Sequence, residues 1–321
     1  MHSVVIVDLK SIPSWHHDLA QAFAELGVRA ATFVSAPRSL RERFDKSARG
    51  SKWFESTAAI ERLLDTCRRA RPDLVIFLGM FVLPARAVEA VRHALGYTPR
   101  LAGWVCDCFR APQFDHWVAG DCVFYFDSFL ADILPDYFPR AEQRIFLPLA
   151  ANPHRYFPVA VPARDQRLLF AGNVSANRRA LLDRLSGQVP LAIAGPNARG
   201  RRFNRRRKLS ASELNQLYNT HQVVLNINQK PNTEHGANLR VFEVGAAGGL
   251  LLTEACRDLP ALYEPGHEVL TYSNLDELIE RYERARVEDA HARRIAAAGR
   301  ARTLAEHTFV ARARRMLEVF A

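Results

Sequence analysis

Short apolar runs alternate with amphipathic stretches along most of the chain. Residues 3–8 (Ser-Val-Val-Ile-Val-Asp) read as a buried strand, and Trp15, Leu19, Ala22, Phe23 and Leu26 follow at helical spacing until Gly27. The same rhythm predicts strands at 28–34, 73–79, 101–106 and 122–126, and helices at 57–71 and 85–95. Strands this uniformly apolar, separated by helices, belong to a parallel sheet covered on both faces. Between 146 and 163 the texture changes. Pro148, Pro153, Pro158 and Pro162 crowd one stretch, which reads as an interdomain connection. A second series follows, with strands at 167–171, 190–194, 222–227 and 249–253, and helices at 176–186, 211–219, 239–247, 275–284, 287–303 and 307–320. The expected architecture is α/β: two Rossmann-like domains, 1–155 and 156–306, facing a central cleft. Ligands of open α/β sheets bind at the carboxyl ends of the strands, so one substrate per domain is the natural arrangement.

Composition narrows the class. The chain has 321 residues, 48% hydrophobic and 24% charged, which is globular and long enough for two domains. The initial apolar run ends at Asp8, and no run reaches the ~18 apolar residues of a membrane helix. Five scattered cysteines (Cys67, Cys106, Cys108, Cys122, Cys256) suit a reducing compartment rather than a disulfide framework. The expectation is a soluble, cytoplasmic protein. Its formal charge of +10 is carried mostly by arginine, and reads either as genome composition or as attraction to anions. Residues 199–208 hold seven basic residues in ten, a density that predicts a loop through mutual repulsion. That loop is either a solvated surface or a peripheral contact with an anionic membrane face. Nucleic acid is not an expected partner, because Phe203 alone offers little stacking surface.

Chemistry concentrates in 226–253. A strand ends near Asn228, a polar loop passes through Gly236, and a helix starts at Asn238 and breaks at Gly248 and Gly249. A helix N-terminus offers free backbone N–H groups and a positive dipole end to a diphosphate. Asn238 suits the N-cap. Arg240 in the first turn opposes the dipole, which makes sense if it meets an anion. Glu243, one turn on, is placed to accept two ribose hydroxyls. An ordinary surface loop with a solvated Arg and Glu is the plainer alternative.

The run Leu239-Arg240-Val241-Phe242-Glu243-Val244-Gly245-Ala246-Ala247-Gly248-Gly249 resembles the donor-binding motif of GT-B glycosyltransferases, in particular the spore-maturation (CgeB-like) and family 4-like group. Segments at 167–182, 214–229, 263–269 and 307–312 match further parts of the family's donor half in the right order, and 103–107 and 146–158 match its amino half more loosely. The resemblance implies a metal-independent transfer of a sugar from a nucleoside diphosphate sugar, most often of UDP, to an acceptor hydroxyl. No cofactor beyond that donor is implied. The acceptor is open: a glycan, a lipid-linked sugar, a protein or a small metabolite. A nucleotide-sugar epimerase or hydrolase, or a non-catalytic anion-binding protein, are the other readings of the same residues.

By resemblance Glu243 holds the ribose, and Gly236, Ala237, Asn238 and Leu239 give backbone contacts to the diphosphate. Gly172 and Asn173 form the first donor-domain loop, Arg178 or Arg179 neutralises the diphosphate, Lys230 is a further candidate for that role, and Arg240 belongs to the same donor site. Retaining relatives carry two glutamates with seven residues between them, but that first position here is His235, with Glu234 one residue off. Both are kept as catalytic candidates, and retention is the expected outcome. On the amino side, Asp107 at a strand end is the first candidate for accepting the acceptor's proton, and His16 and His17 are the second. A closing helix, 307–321, is expected to return to the first domain.

Other chemistries lack their signatures. There is no Asp-x-Asp triplet, no Gly-x-Gly-x-x-Gly after the first strand, no P-loop and no Gly-x-Ser-x-Gly elbow. Cys106-x-Cys108 has the wrong spacing for a zinc knuckle.

Overall fold

The computed structural model describes residues 1–8, 15–34, 56–78, 85–108, 120–137, 141–198, 203–205, 208–230 and 232–321. The chain divides into two compact units: Met1–Pro148 together with Phe309–Ala321, and Leu149–Thr308.

The first unit is built on β1 (Ser3–Asp8), β2 (Arg29–Val34), β3 (Leu74–Leu78), β4 (Arg100–Val105), β5 (Cys122–Tyr125) and β6 (Gln143–Phe146). All pair in parallel, in the order β2-β1-β3-β4-β5-β6. β1 and β3 are buried at every residue, as a strand covered on both faces must be. Around them run α1 (Trp15–Glu25), α2 (Thr57–Ala70), α3 (Ala85–His93) and α4 (Leu130–Tyr137). The local chemistry of α2 is legible. The Ser56 hydroxyl accepts from Ala59 N, Leu63, Leu64 and Cys67 turn inward, and Arg68 and Arg69 sit in the last turn where the dipole favours cations. Trp104 of β4 is fully buried, and its Nε1 donates to Leu147 O at 3.0 Å.

The second unit is built on β7 (Leu168–Ala171), β8 (Leu191–Ala194), β9 (Phe203–Arg205), β10 (Val223–Asn226), β11 (Leu250–Glu254) and β12 (Leu270–Tyr272). Its helices are α5 (Ala176–Leu185), α6 (Ala211–Thr220), α7 (Leu239–Ala247), α8 (Leu259–Leu262), α9 (Leu275–Val287) and α10 (Asp289–Glu306). The strands again pair in parallel, in the order β12-β11-β10-β7-β8-β9. Counted from its own first strand this is the doubly wound 3-2-1-4-5-6 order, which reverses direction between β7 and β10. The last helix, α11 (Phe309–Val319), belongs with the first unit. It packs on α1, sets Phe309 edge-on to Trp104 at 6.3 Å, and donates from Arg312 Nε to Pro148 O at 2.6 Å.

Several elements escape the sequence pattern. β6, β12 and α8 have four or three residues, too few to show a period. α4 carries Pro135 in its interior, which argues locally against a helix. Residues 203–205, expected as part of a charge-repelled loop, form the edge strand β9. The edge of β8 offers backbone partners, Ile193 pairing with Phe203 and Ala194 with Arg205, and this ladder does not depend on side-chain charge. The remaining basic residues of 199–208, apart from Lys208, lie outside the described residues.

Candidate functional site

In the second unit β7 has β8 on one side and β10 on the other, so the loops leaving the carboxyl ends of β7 and β10 diverge and open a crevice. Three segments meet there: Gly172-Asn173 after β7, Ile227-Asn228-Gln229 after β10, and the amino end of α7.

Two arginines anchor the cluster. Arg178, on α5, is 5% exposed. Its Nε and Nη2 donate to Ile227 O at 3.0 and 2.8 Å, and its Nη1 to Asn173 O at 3.1 Å and Gln229 Oε1 at 2.7 Å. It straps the two strand-end loops together. Arg240, in the first turn of α7, donates from Nη1 to Asn226 Oδ1 at 2.8 Å. Both guanidinium groups lie over the Phe170 ring, with Cζ at 5.6 Å for Arg178 and 5.1 Å for Arg240. Every one of these hydrogen-bond acceptors is a neutral oxygen. Burial, and then the charge of Arg240, push Arg178 down to about 9. Neither guanidinium has an ion-pair partner among the described residues, although the Glu254 charge opposes part of the fall in Arg178, and two cations sharing one ring favour an anion beside them.

The α7 amino end adds to it. Asn238 caps the helix, its Oδ1 accepting from Arg240 N at 3.2 Å. Its Nδ2 donates to Asn226 Oδ1 at 2.8 Å and Asn228 Oδ1 at 3.3 Å. Gly236 and Ala237 precede the cap and are buried. Leu239 opens the helix. Gly172 is fitted to the same cluster: a Cβ there would stand 2.1 Å from Arg240 Nη2. Asn173 Oδ1 accepts from Asn197 Nδ2 at 2.8 Å, and Arg179 donates to Asn197 O. Glu243, on the next turn of α7, is 8% exposed and accepts from Tyr218 Oη at 3.3 Å. Burial and the Glu243 charge raise the Tyr218 phenol, so it stays protonated and donates.

Known proteins resemble this arrangement. Residues 177–318 match the family model described as glycosyl transferase-like. Comparison with curated proteins gave no sequence match. Among solved structures, the sucrose-phosphate synthase of Thermosynechococcus elongatus superposes at a TM-score of 0.69 and 13% identity, covering 100% of this chain and 98% of that one. A glycosyltransferase from Rickettsia africae gives 0.71 at 11%, covering 99% and 97%. Anabaena HepE in complex with UDP and glucose gives 0.67 at 11%, covering 100% and 99%. The chain has the GT-B fold. Its second unit carries most of the glycosyl transferase-like match.

The other residues singled out from the GT-B resemblance are spread more widely. Lys230 is exposed, with Nζ 3.7 Å from Glu234 Oε1. His235 follows, its carbonyl accepting from Asp258 N at 3.0 Å. In the first unit of the GT-B chain, Asp107 lies two residues beyond the end of β4, half-buried. His16, at the start of α1, is 7% exposed and holds Asp8 Oδ2 at 2.7 Å through Nδ1, with the His17 ring 4.1 Å away. Burial lowers His16 below its ordinary value, against the opposing pull of Asp8. Among the described residues no group of three or more His, Cys, Asp or Glu side chains is set to hold a metal ion, and no helix is long and apolar enough to cross a membrane.

The sequence reading missed Phe170, Asn226, Asn228 and Thr253, which underlie Arg240, and Asp8, which pairs with His16. A signal existed for one pair. Asn226 and Asn228 flank Ile227 at the end of an apolar strand, so both point to one side.

Proposed function

We propose that this protein is a glycosyltransferase that takes its sugar from a nucleoside diphosphate sugar, with UDP as the first choice of nucleotide, and passes it to an acceptor hydroxyl. The observation that carries the reading is the pair of arginines hydrogen-bonded only to neutral oxygens beside the α7 amino end, at the strand-order reversal between β7 and β10. The departing nucleoside diphosphate gains negative charge as the glycosidic bond breaks. Arg240 and the backbone N–H groups ahead of α7 stabilise that charge in place, so the step needs no metal ion. Arg178 acts from beneath, holding the Gly172 and Ile227 loops at fixed spacing and adding potential. Glu243 accepts the ribose hydroxyls, oriented by Tyr218. The choice of UDP is supported by HepE, whose structure is in complex with UDP, and sugar transfer by the glycosyl transferase-like match. The CgeB-like affinity and retention of anomeric configuration remain part of this proposal.

In the first unit, His16 is the side chain best built to take up a proton. With Nδ1–H donated to Asp8, the Nε2 lone pair is free to accept one, and the lowered basicity keeps the ring neutral at pH 7. Asp107 is the second candidate.

The test is binding of UDP, GDP, dTDP, ADP and CDP in the presence of chelator, by calorimetry and thermal shift, for the native chain and Glu243→Ala. One diphosphate is expected to bind the native chain, with at least about tenfold loss in the variant, equivalent to about 1.4 kcal/mol. Absence of binding by any of the five would overturn the donor site. Binding without release of sugar to any acceptor, but with hydrolysis of the donor, would favour a hydrolase or epimerase.

A further inference from the structure

We infer that Asn226 is the positioning residue for Arg240: it aims the guanidinium with a neutral oxygen and so leaves its charge available to a diphosphate. The inference rests on the donor-site reading above and gives a role to a residue to which the resemblance assigned none.

The chemistry of the side chains fixes the direction of the network. Arginine can only donate, so Asn226 must turn Oδ1 toward Arg240 Nη1, at 2.8 Å. Its Nδ2 then faces the other way, where it donates to Thr253 Oγ1 at 2.9 Å and Asn228 Oδ1 at 3.4 Å. Asn238 Nδ2 donates to Asn226 Oδ1 and Asn228 Oδ1, and its own Oδ1 is occupied by the helix cap. Tyr272 Oη fixes the backbone beneath by donating to Asn226 O at 3.0 Å. Asn226 is 0% and Thr253 1% exposed, so the network is dry and each bond is costly to break.

The guanidinium is held on three sides. Asn226 takes Nη1, the Phe170 ring lies under Cζ at 5.1 Å, and Gly172 leaves room for Nη2 where a Cβ would stand 2.1 Å away. Arg240 Nε is buried without a hydrogen-bond partner among the described residues. A carboxylate at 226 would hold Arg240 Nη1 more strongly, but it would give up the donation to Thr253 and Asn228 and cancel the charge in a buried ion pair. The amide separates the two effects: orientation is kept and neutralisation is avoided. That distinction matters only where an anion is to be bound.

The experiment measures UDP affinity by calorimetry at low temperature with chelator, and thermal unfolding without ligand, for the native chain, Asn226→Asp, Asn226→Ala, Arg240→Ala and the double variant Asn226→Ala/Arg240→Ala. Asn226→Asp is expected to bind UDP at least about tenfold more weakly, a larger loss than that of Asn226→Ala at comparable unfolding temperature, which a merely structural residue does not give. Asn226→Ala is expected to weaken binding severalfold in the native background and to add nothing in the Arg240→Ala background. The cycle keeps the inference testable if Asn226→Asp does not fold. Native affinity in Asn226→Asp, or equal losses from Asn226→Ala in both backgrounds, would overturn it. Those results leave the donor site standing as long as the native chain binds UDP, whereas failure of the native chain to bind any diphosphate sinks the donor reading itself.

Discussion

Asp165, on the side of the second sheet away from the crevice, shows how a single residue couples this chain to pH. Its carboxylate accepts from Arg167 N at 2.9 Å and from Arg167 Nη2 at 2.5 Å, and it lies 3.6 Å from His221 Nε2. The Arg167 side-chain bonds hold it down to about 2. A carboxylate with a depressed native value stabilises the fold above its unfolded value and loses that contribution as pH falls through the native one. His16 and His221 work in a higher window. Burial lowers both, so protonation favours the unfolded chain as pH drops below their ordinary value of 6.5. Unfolding temperature should therefore decline in two stages on acidification. Asp165→Asn should flatten the stage between about pH 4 and about pH 2 and deepen the upper one, because the Asp165 charge favours the His221 cation in the fold. A lower stage that persists in this variant would assign it to other carboxylates. Few of these pairings could be read from sequence, since Asp165 and His221 are 56 positions apart and meet only because their strands are neighbours.

At the scale of the element, α7 is the segment most legible from sequence. Asn238 was expected to cap it and does, and Gly248 was expected to end it and does, at φ 75°. A Cβ at Gly248 would meet Arg300 Cδ at 3.4 Å and Pro158 Cγ at 3.5 Å, ordinary contact distances. The penalty for alanine there is therefore the left-handed backbone alone. Gly248→Ala should lower unfolding free energy by about 1–2 kcal/mol while UDP affinity at low temperature stays native, because the amino end of α7 is unaltered. Weakened UDP binding in this variant would show that the two ends of α7 are coupled. The shorter elements were less legible for a physical reason. Three or four residues do not complete a period, and Pro135 inside α4 gives a local signal opposite to the outcome.

Across the whole molecule, the final helix is what joins the chain's end to its beginning. α11 buries Phe309, Arg312, Ala313 and Met316 within the first unit, although the chain reaches it from the second. Removing residues 309–321 should destabilise the first unit by several kcal/mol, since four buried side chains and the Arg312–Pro148 bond are lost together. The stabilisation by UDP proposed for the second unit should persist, with about 2.7 kcal/mol expected at a hundredfold excess over Kd. Hydrogen exchange resolved by segment distinguishes the two. Unchanged protection in β1, β3 and β4 after truncation would show that α11 contributes little.

Hydrophobic period and order of segments were enough to read two α/β series and the α7 start at Asn238, and they suggested a proline-rich connection near 146–163. The resemblance over 167–312 supplied the GT-B expectation. These are local properties: period reports which face of an element is buried, and caps report where it begins and ends. What lies against that face is decided by strand order. Because β10 sits beside β7, Arg178 reaches Ile227 across 49 positions and Phe170 lies under Arg240. Because β11 sits beside β10, Thr253 meets Asn226. No spacing rule links such positions, since hydrogen bonds between neighbouring strands depend on the whole topology. The sequence left Arg240 either solvated or facing an anion, and only the tertiary structure showed the neutral amide and the ring that hold its guanidinium.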